Sequence, residues 1–592
     1  MTPFLGAERD ESNGTSSPPY SLLDGTRSAL KHLLNRAEPQ LPEECLPHIG
    51  RVGFSTANTG SPYFPSSLKQ TEAITALKAV EAGVAASIAD LANQPQQRKI
   101  NVDLERASAF LFSTYLATVG GMNKAHPKVK KMLKGEYPSS CHGRLADVGR
   151  DTDLLQAQSI LYRRLSANLY ATKNPGEYFH LHGSLEATKA LNMIGLEGHR
   201  PDLTDYHECI SIIEDHVRKY TADELEEMNW KIKQAGVTCL KWEDFQTTQH
   251  GQELIQQPPW RVETLETETP PAPFPFKTSP APKPQILSGI RVLELCRIIA
   301  GPAMGRGLAE YGAEVIKITS PNLSDVPFFQ VDGNLGKHAS DLNLRDENDR
   351  KIFEDLLQSA DVVLDGYRPG SLTRLGYGPH QILELTKHRQ RGIVYVAENC
   401  FGHVGPWSSR PGWQQIADCV TGVAWAQGLS MGLDEPVVPP FPMSDYGTGC
   451  MGTIAALTGL YKRAKYGGSY LGTTSLCQYD IYLLQLGLYD DTMMTHLRRQ
   501  HDSEFFELRH NDSVDEVGKR ALKTMRKVHP ELFDERHMQE CFSEGFNAAV
   551  RTIKPVVDVE DTWNGFLRST RPNGFDNPTW QDWEVDSAML KA

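Results

Sequence analysis

The chain has 592 residues, 40% hydrophobic and 23% charged, which is ordinary for a globular protein and enough for two to four domains. Its formal net charge of −13 argues against nucleic acid as the main partner, since phosphate backbones need a basic face; an anionic small molecule needs only local arginines and lysines. Ten cysteines without a CxxC pair point to a reduced compartment and no structural zinc, and no apolar run of 18 residues exists to span a membrane. The polar N-terminus, with Glu8, Asp10 and Glu11, reads as neither a signal nor a transit peptide, and the C-terminal Met-Leu-Lys-Ala is no peroxisomal address. A cytoplasmic location is expected, with peroxisome and mitochondrion left open.

Residues 1–20 read as disordered. Ser21 to Asn35 has the leucine spacing of an amphipathic helix. Thr71 to Leu91 is an Ala-rich helix too apolar to be exposed, Ile100 to Leu104 a short strand, and Ala107 to Leu116 a buried helix. Leu154 to Leu169 reads as a helix and Glu177 to His182 as extended. Leu185 to Met193 and Asp205 to Val217 are helices, and Thr221 with Glu224 forms a capping box for another. His180 and His182 form a His-x-His pair, but no third metal ligand is evident and no metal is expected. Glu263 to Pro284, rich in Pro, Thr and Glu, reads as a linker.

The second half alternates strands and helices. Strands fall at 290–295, 314–318, 361–365 and 392–396, and helices at 302–311, 346–359 and 380–387. This pattern predicts βαβ units and a parallel sheet. Ligands bind such sheets at the carboxyl ends of the strands, where Arg297, Arg368 and Glu398 stand. Beyond about residue 500 the pattern fades: Leu508 to His529 is charged and helical, and the last 40 residues or so read as loop or extension.

The chain is organised around Pro439 to Gly452, where a proline-stiffened segment delivers Asp445 ahead of a glycine-rich turn and the apolar helix Ile454 to Leu460. A carboxylate at a helix N-terminus is held ionised by free amides and the helix dipole. Asp445 is therefore either a nucleophile or an ordinary N-cap. Gly447-Thr-Gly449-Cys-Met-Gly452 spells GxGxxG, but prolines precede it where a strand is needed and no acid follows about 20 residues on, so a dinucleotide site is rejected. Phe64 to Ala73 aligns without gaps on Phe441 to Cys450, and Val102-Asp-Leu on Thr474-Ser-Leu. If this repeat is real, Leu68 stands where Asp445 stands, one copy being chemical and the other architectural.

Several stretches together resemble the class III CoA-transferases, the CaiB/BaiF family: Leu287 to Pro302, Leu308 to Ile318, Asn334 to Lys337, Ala360 to Gly370, Arg374 to Gly378, Phe401 to Pro406, Arg410 to Trp413 and the Asp445 segment. The resemblance is strong over roughly 285–485 and fainter over 62–260. It implies an α/β fold: a Rossmann-like domain over 285–500, a degenerate, mostly helical and α+β copy over 21–262, a linker over 263–284 and an extension over 501–592. Because the family forms interlocked dimers, either a homodimer or an intrachain pseudo-dimer with interlocked halves is expected.

The resemblance also implies chemistry. Asp445 would attack an acyl-CoA thioester and carry CoA to a carboxylic acid as an aspartyl-CoA thioester, with coenzyme A as substrate and no resident cofactor. Gly447 and Gly449 would supply oxyanion amides. Ile299, Ala300, Leu342, Asn343, Leu344, Arg345, Gly366, Tyr367, Arg368 and Arg374 match segments that hold CoA. Arg410, Pro411, Gly412 and Trp413 match the segment along its pantetheine end. The family's racemases carry a His where this chain has Trp413, which speaks against epimerisation. The glycine run that covers the site in formyl-CoA enzymes has no counterpart here. Small-molecule acyl-CoA and acid are thus the expected partners; an epimerase and a non-catalytic acyl-CoA-binding protein are the alternatives.

Overall fold

The computed structural model describes residues 20–58, 60–92, 97–126, 152–277, 280–581 and 583; the expectation of disorder over 1–20 falls outside them apart from Tyr20, whose hydroxyl donates to the buried Glu72 carboxylate at 2.5 Å. The first half opens with α1 (Leu22–Ala37), capped by Ser21 accepting the Asp24 amide. It continues through β1 (Gly53–Ser55), the long helix α2 (Gln70–Ala92), β2 (Ile100–Asp103), α3 (Leu104–Phe110) and β3 (Thr118–Val119). A small antiparallel sheet follows, of β4 (Ala167–Ala171), β5 (Tyr178–His182) and β6 (Val237–Thr238), with helices Tyr206–Val217 and Ala222–Ile232 packed on it. The capping box at Thr221 is present.

Two expected helices are corrected. Leu154–Leu169 holds one helical turn, Leu161–Arg164, and then β4, because pairing across the sheet (Leu169 opposite His180) overrides the leucine spacing. Ala107–Leu116 breaks at Phe112, whose ring stacks on Phe441 at 4.8 Å.

β7 (Trp260–Glu266) leads into the second half: β8 (Arg291–Leu295), α4 (Ala300–Glu310), β9 (Glu314–Thr319), β10 (Lys337–Asp341), α5 (Glu347–Leu357), β11 (Val362–Asp365), β12 (Val394–Asn399), α6 (Met443–Tyr466), β13 (Ser469–Ser475) and α7 (Leu476–Gln485). One seven-stranded sheet results, in the order β10-β9-β8-β11-β12-β13-β7, parallel except for β7. Glu263 to Glu266 of the expected linker are therefore strand. Residues 269–274 are strapped down: Gly468 donates to the Thr269 carbonyl at 2.8 Å, Ala272 to that of Arg463 at 3.2 Å, and Phe274 is buried. Among its described residues the expected extension holds helix α8 (Val514–Val528) and strands β14 (Met538–Ser543), β15 (Ala548–Ile553) and β16 (Val557–Val559). Among the described residues no helix is long and apolar enough to cross a membrane.

The two halves exchange strands. β7 comes from the first half and lies antiparallel on β13; β16 comes from the tail and lies antiparallel on β2. β13 and β2 are the strands that the internal repeat equates. Each has a parallel neighbour on its other side, β12 or β1, and leads into a helix whose N-cap, Ser475 or Asp103, accepts an amide from three residues on. In this frame Thr474 faces Glu398 and Val102 faces Phe54. In this register the β1–β2 pair of the first half corresponds to β12–β13, with Phe54 at the position of Glu398, and the sequence repeat sets Leu68 against Asp445.

The expected glycine-rich turn is helix: α6 begins at Met443, and Gly447, Gly449 and Gly452 lie inside it. A Cβ on Gly449 would sit 2.4 Å from that of Ala303 on α4; one on Gly452, 2.1 Å from Met304 Sδ; one on Gly447, 2.0 Å from the Tyr479 ring on α7. On α4, Gly307 makes the same allowance for Thr453, at 2.6 Å. The GxGxxG spelling is a helix-packing pattern. A buried cluster joins α2 to this pair, where Glu81 accepts from Lys78 Nζ (2.9 Å), Tyr311 Oη (3.1 Å) and Cys450 Sγ (3.0 Å). Gly449→Ala is expected to lower stability by about 1–3 kcal/mol despite alanine's better helix propensity, read as a fall in denaturation midpoint.

Candidate active site

Three cavities join into one cleft across the carboxyl ends of the parallel strands. The largest, about 650 Å3, is lined by Arg297, Arg345, Arg368 and Arg374, with Leu342, Asn343, Leu344 and Tyr367, and by no acidic side chain. Arg297, Tyr367 and Arg368 also line the second cavity, where Ile299, Ala300, Gly366, Arg410, Pro411, Gly412, Trp413 and Asp445 meet. Ile298, Ile299, Trp413 and Asp445 continue into the third, about 130 Å3, on the far side of the carboxylate. Every residue that the sequence singled out along the CoA path therefore lies on this cleft. Arg297 was visible only as a strand-end cation, and the Thr319–Leu323 wall was missed although it follows β9.

The arginines differ in how committed they are. Arg410 pairs with Glu226 at 2.6 Å and donates to the Gly236 carbonyl, which ties the small sheet's helix to the cleft. Arg368 donates to the Lys233 carbonyl at 3.3 Å and Arg374 to Ser371 Oγ at 3.1 Å, while Arg297 donates to the Ser324 carbonyl at 2.6 Å. Arg345, Arg368, Arg374 and Arg297 have no carboxylate partner among the described residues. Four unneutralised guanidinium groups on one wall suit a polyanion, above all phosphates.

Ile298, between β8 and α4, has φ of 70°, the left-handed region that a β-branched residue rarely adopts. Asp325 holds this turn: its carboxylate accepts the Ile298 amide at 3.3 Å and, on the other oxygen, the Asn573 side chain at 2.9 Å. The tail therefore braces the turn that lines both cavities beside Asp445.

Asp445 is the third residue of α6 and is 8% exposed. Its carboxyl group has no hydrogen bond or ion pair among the described residues. Burial pushes its pKa up to about 8, so the ionised state expected from the helix dipole does not prevail in the resting protein. The amides of Gly447 and Gly449 lie beyond the first helical turn, whose spare donors are the only ones a helix start offers, so they do not suit an oxyanion. Behind Asp445, Ser444 Oγ donates to Asp418 at 3.1 Å, and Gln414 also donates to that carboxyl group.

Half of the third cavity's lining comes from segments outside the parallel-sheet domain. Tyr115, Lys124, Arg164 and His182 come from the first half and Val514 from the tail. Asp515 pairs with Lys124 at 3.1 Å and with Arg164. Trp413 is half-buried at the boundary and donates its indole N–H to Ser184 Oγ at 2.9 Å; the His182 ring stacks on it at 5.9 Å. His182 Nδ1 accepts the Ser184 amide at 2.9 Å and His180 Nε2 meets Gln415 Oε1 at 3.0 Å, so both histidines are committed inside the fold and burial keeps both neutral. Among the described residues no group of three or more His, Cys, Asp or Glu is placed to hold a metal ion.

A raised aspartate pKa has a fixed sign. An unfolded Asp ionises near 4, while the folded group stays protonated to about 8, so stability is lost as pH rises between those values. Asp445→Asn removes that loss. The variant is expected to be more stable than the parent at pH 7, by on the order of 2–4 kcal/mol, and no different at pH 4. Thermal denaturation at the two pH values checks this.

Residues 287–510 match the family model for CoA-transferase family III. The chain is 33% identical over 564 residues to the acetyl-coenzyme A transferase nodX of Hypoxylon pulicicidum, covering 93% of this chain and 91% of that protein. An acyl-CoA transferase of Gibberella moniliformis is 32% identical over 516 residues, covering 85% and 87%. Among solved structures, a CaiB/BaiF family protein from Brucella suis is 18% identical, with a TM-score of 0.35 over 49% of this chain and 97% of its own. A relative matched at a third of positions over nine-tenths of both chains, together with a family model that covers the parallel sheet and α6, shows that the chain belongs to CoA-transferase family III.

Proposed function

We propose that the protein moves coenzyme A from an acyl-CoA to a free carboxylic acid through a thioester on Asp445. The observation that carries this reading is the placement of Asp445 where the second and third cavities share their lining, in a cleft whose largest cavity is walled by arginines. The nucleotide end of CoA lies against Arg297, Arg345, Arg368 and Arg374, and the pantetheine arm passes Gly366 and the Arg410–Trp413 segment. The acyl group, and then the acceptor acid, occupies the third cavity. That pocket is mixed, with Phe329, Val326 and Leu185 as apolar walls and Lys124 and Arg164 gathered about Asp515. It suits a short acid with a polar or anionic far end.

In the ionised enzyme an Asp445 oxygen bonds to the thioester carbon, the tetrahedral adduct collapses and the C–S bond breaks, leaving an acyl–aspartyl anhydride and CoA thiolate. The thiolate attacks the Asp445 carbonyl carbon, releasing the donor's carboxylate and forming aspartyl-CoA. The acceptor carboxylate then repeats these steps in reverse. Two easy acyl exchanges replace one hard one.

One observation favours a second reading. His182 shares the third cavity with Asp445, and its Nδ1 accepts an amide, which leaves the proton on Nε2. An acid so placed opposite a carboxylate suits α-proton exchange. Deuterium uptake at the α-carbon of a bound acyl-CoA tests it, and none is expected.

The transferase reading is tested by following exchange between a panel of acyl-CoAs and labelled short acids. Wild type is expected to transfer, and Asp445→Asn to lose about 10³-fold or more. Arg345→Ala and Arg374→Ala are expected to raise KM for the acyl-CoA about tenfold each with kcat little changed. Because Asp445 must be ionised to attack, kcat/KM is expected to climb with pH and level off near 8. Hydrolysis without transfer, or an Asp445→Asn enzyme as fast as the parent, would overturn the reading.

A further inference from the structure

Glu398 stands at the end of β12 and lines the same cavity as Asp445. Its carboxyl group makes no hydrogen bond and no ion pair among the described residues. Of the other polar side chains on this cavity, Arg410 is paired with Glu226, the Asn399 side-chain amide donates to the Gly402 carbonyl and the Trp413 indole to Ser184, while Arg297 and Arg368 donate to the backbone carbonyls of Ser324 and Lys233. Past the end of β11 stands Gly366, where a Cβ would lie 2.8 Å from Glu398 Oε1. This turn, which borders the proposed CoA path, thus leaves the space that the carboxyl group occupies.

The internal repeat gives an independent observation. Phe54 faces Val102 in the first half as Glu398 faces Thr474 in the second, and the sequence repeat sets Leu68 against Asp445. Neither carboxylate recurs at the aligned positions, which fits the two acting as a pair. The charged groups that act on Glu398 are also of one sign. Asp445 and Asp365 both push its pKa up, on top of burial, and no cation offsets them. Both carboxyl groups line one cavity, and burial together with the Asp445 charge holds the Glu398 proton on, so when Asp445 gives up its proton Glu398 keeps its own.

Resting on the transferase reading above, we propose that Glu398 is the hydrogen-bond donor to the oxyanion formed when Asp445 attacks the thioester. As the Asp445 oxygen bonds to the carbonyl carbon, the C=O pair moves onto oxygen, and the neutral Glu398 O–H donates to it. Its proton is not transferred. The C=O then re-forms, the C–S bond breaks and the thiolate departs. Glu398 thereby fills the role that Gly447 and Gly449, enclosed in α6, do not, and a donor aimed at developing charge in a dry site is worth about 10²–10³ in rate.

Two measurements separate this proposal from the reading on which it rests. Infrared difference spectra of wild type against Glu398→Gln at pH 7 are expected to show a neutral carboxylic acid C=O band, displaced when acyl-CoA binds. In steady-state kinetics Glu398→Ala is expected to lose about 100-fold or more in kcat, with KM for acyl-CoA within about threefold. Glu398→Gln, which still donates, is expected to lose less than about tenfold. Absence of the band, a Glu398→Ala enzyme within threefold of the parent, or a Glu398→Gln enzyme as slow as Glu398→Ala would overturn the donor role. A displaced band in a protein that transfers no CoA would support the donor and sink the transferase reading instead.

Discussion

The site depends on how closely α4 and α6 approach. Gly449 and Gly452 on α6 meet Ala303 and Met304 on α4, and Gly307 on α4 meets Thr453 on α6, with no room for one more carbon at any of these contacts. α4 begins at the strained turn beyond β8, and α6 begins two residues before Asp445. Bringing the two axes together is what sets the β8 turn beside the carboxylate. Any widening would separate Ile299 and Ala300, on the proposed CoA path, from the proposed nucleophile.

That contact belongs to the second half, yet the second half does not complete the cleft. β7 from the first half closes its sheet, the first half supplies Tyr115, Lys124, Arg164 and His182, and the tail supplies Val514 and the Asn573 brace on Asp325. In return the tail's β16 completes the reduced sheet around β2. The first half thus presents part of the third cavity's wall to the cleft of the second.

The parallel sheet was legible because its strands are short apolar runs separated by amphipathic helices, and the arginine wall because ligands gather at strand ends. Asp445 was legible as a helix-start carboxylate, and its residue environment along Ile299, Ala300 and Arg410 to Trp413 followed from motif order. Its protonation was not. Helix-dipole reasoning favours the anion, but desolvation depends on surroundings contributed by segments hundreds of residues away, and here it prevails. The glycines misled for a related reason. Gly447-x-Gly449 reads locally as a turn, and only the proximity of α4 and α7 shows that it is a helix surface pared down for packing. β4 and β7 were missed because strand identity there comes from partners, Leu169 with His180 and Val262 with Gly472, and not from periodicity. The tail strands β14 to β16 are three to six residues long and pair with elements more than 400 residues earlier or with each other, which no local pattern reports.

The electrostatics of the cleft form a gradient from four unpaired guanidinium groups, past a pair of protonatable carboxyl groups, to a cation pair held by Asp515. A polyanion docked on the first wall and a carboxylate held in the far pocket would meet only at Asp445. The most direct test is to trap what forms there. The protein is incubated with acyl-CoA, quenched with hydroxylamine and digested, and the modified residue is mapped by mass spectrometry. A hydroxamate on Asp445, absent from Asp445→Asn, is the predicted result. A hydroxamate on another residue, or none from a protein that is turning over, would contradict the covalent account.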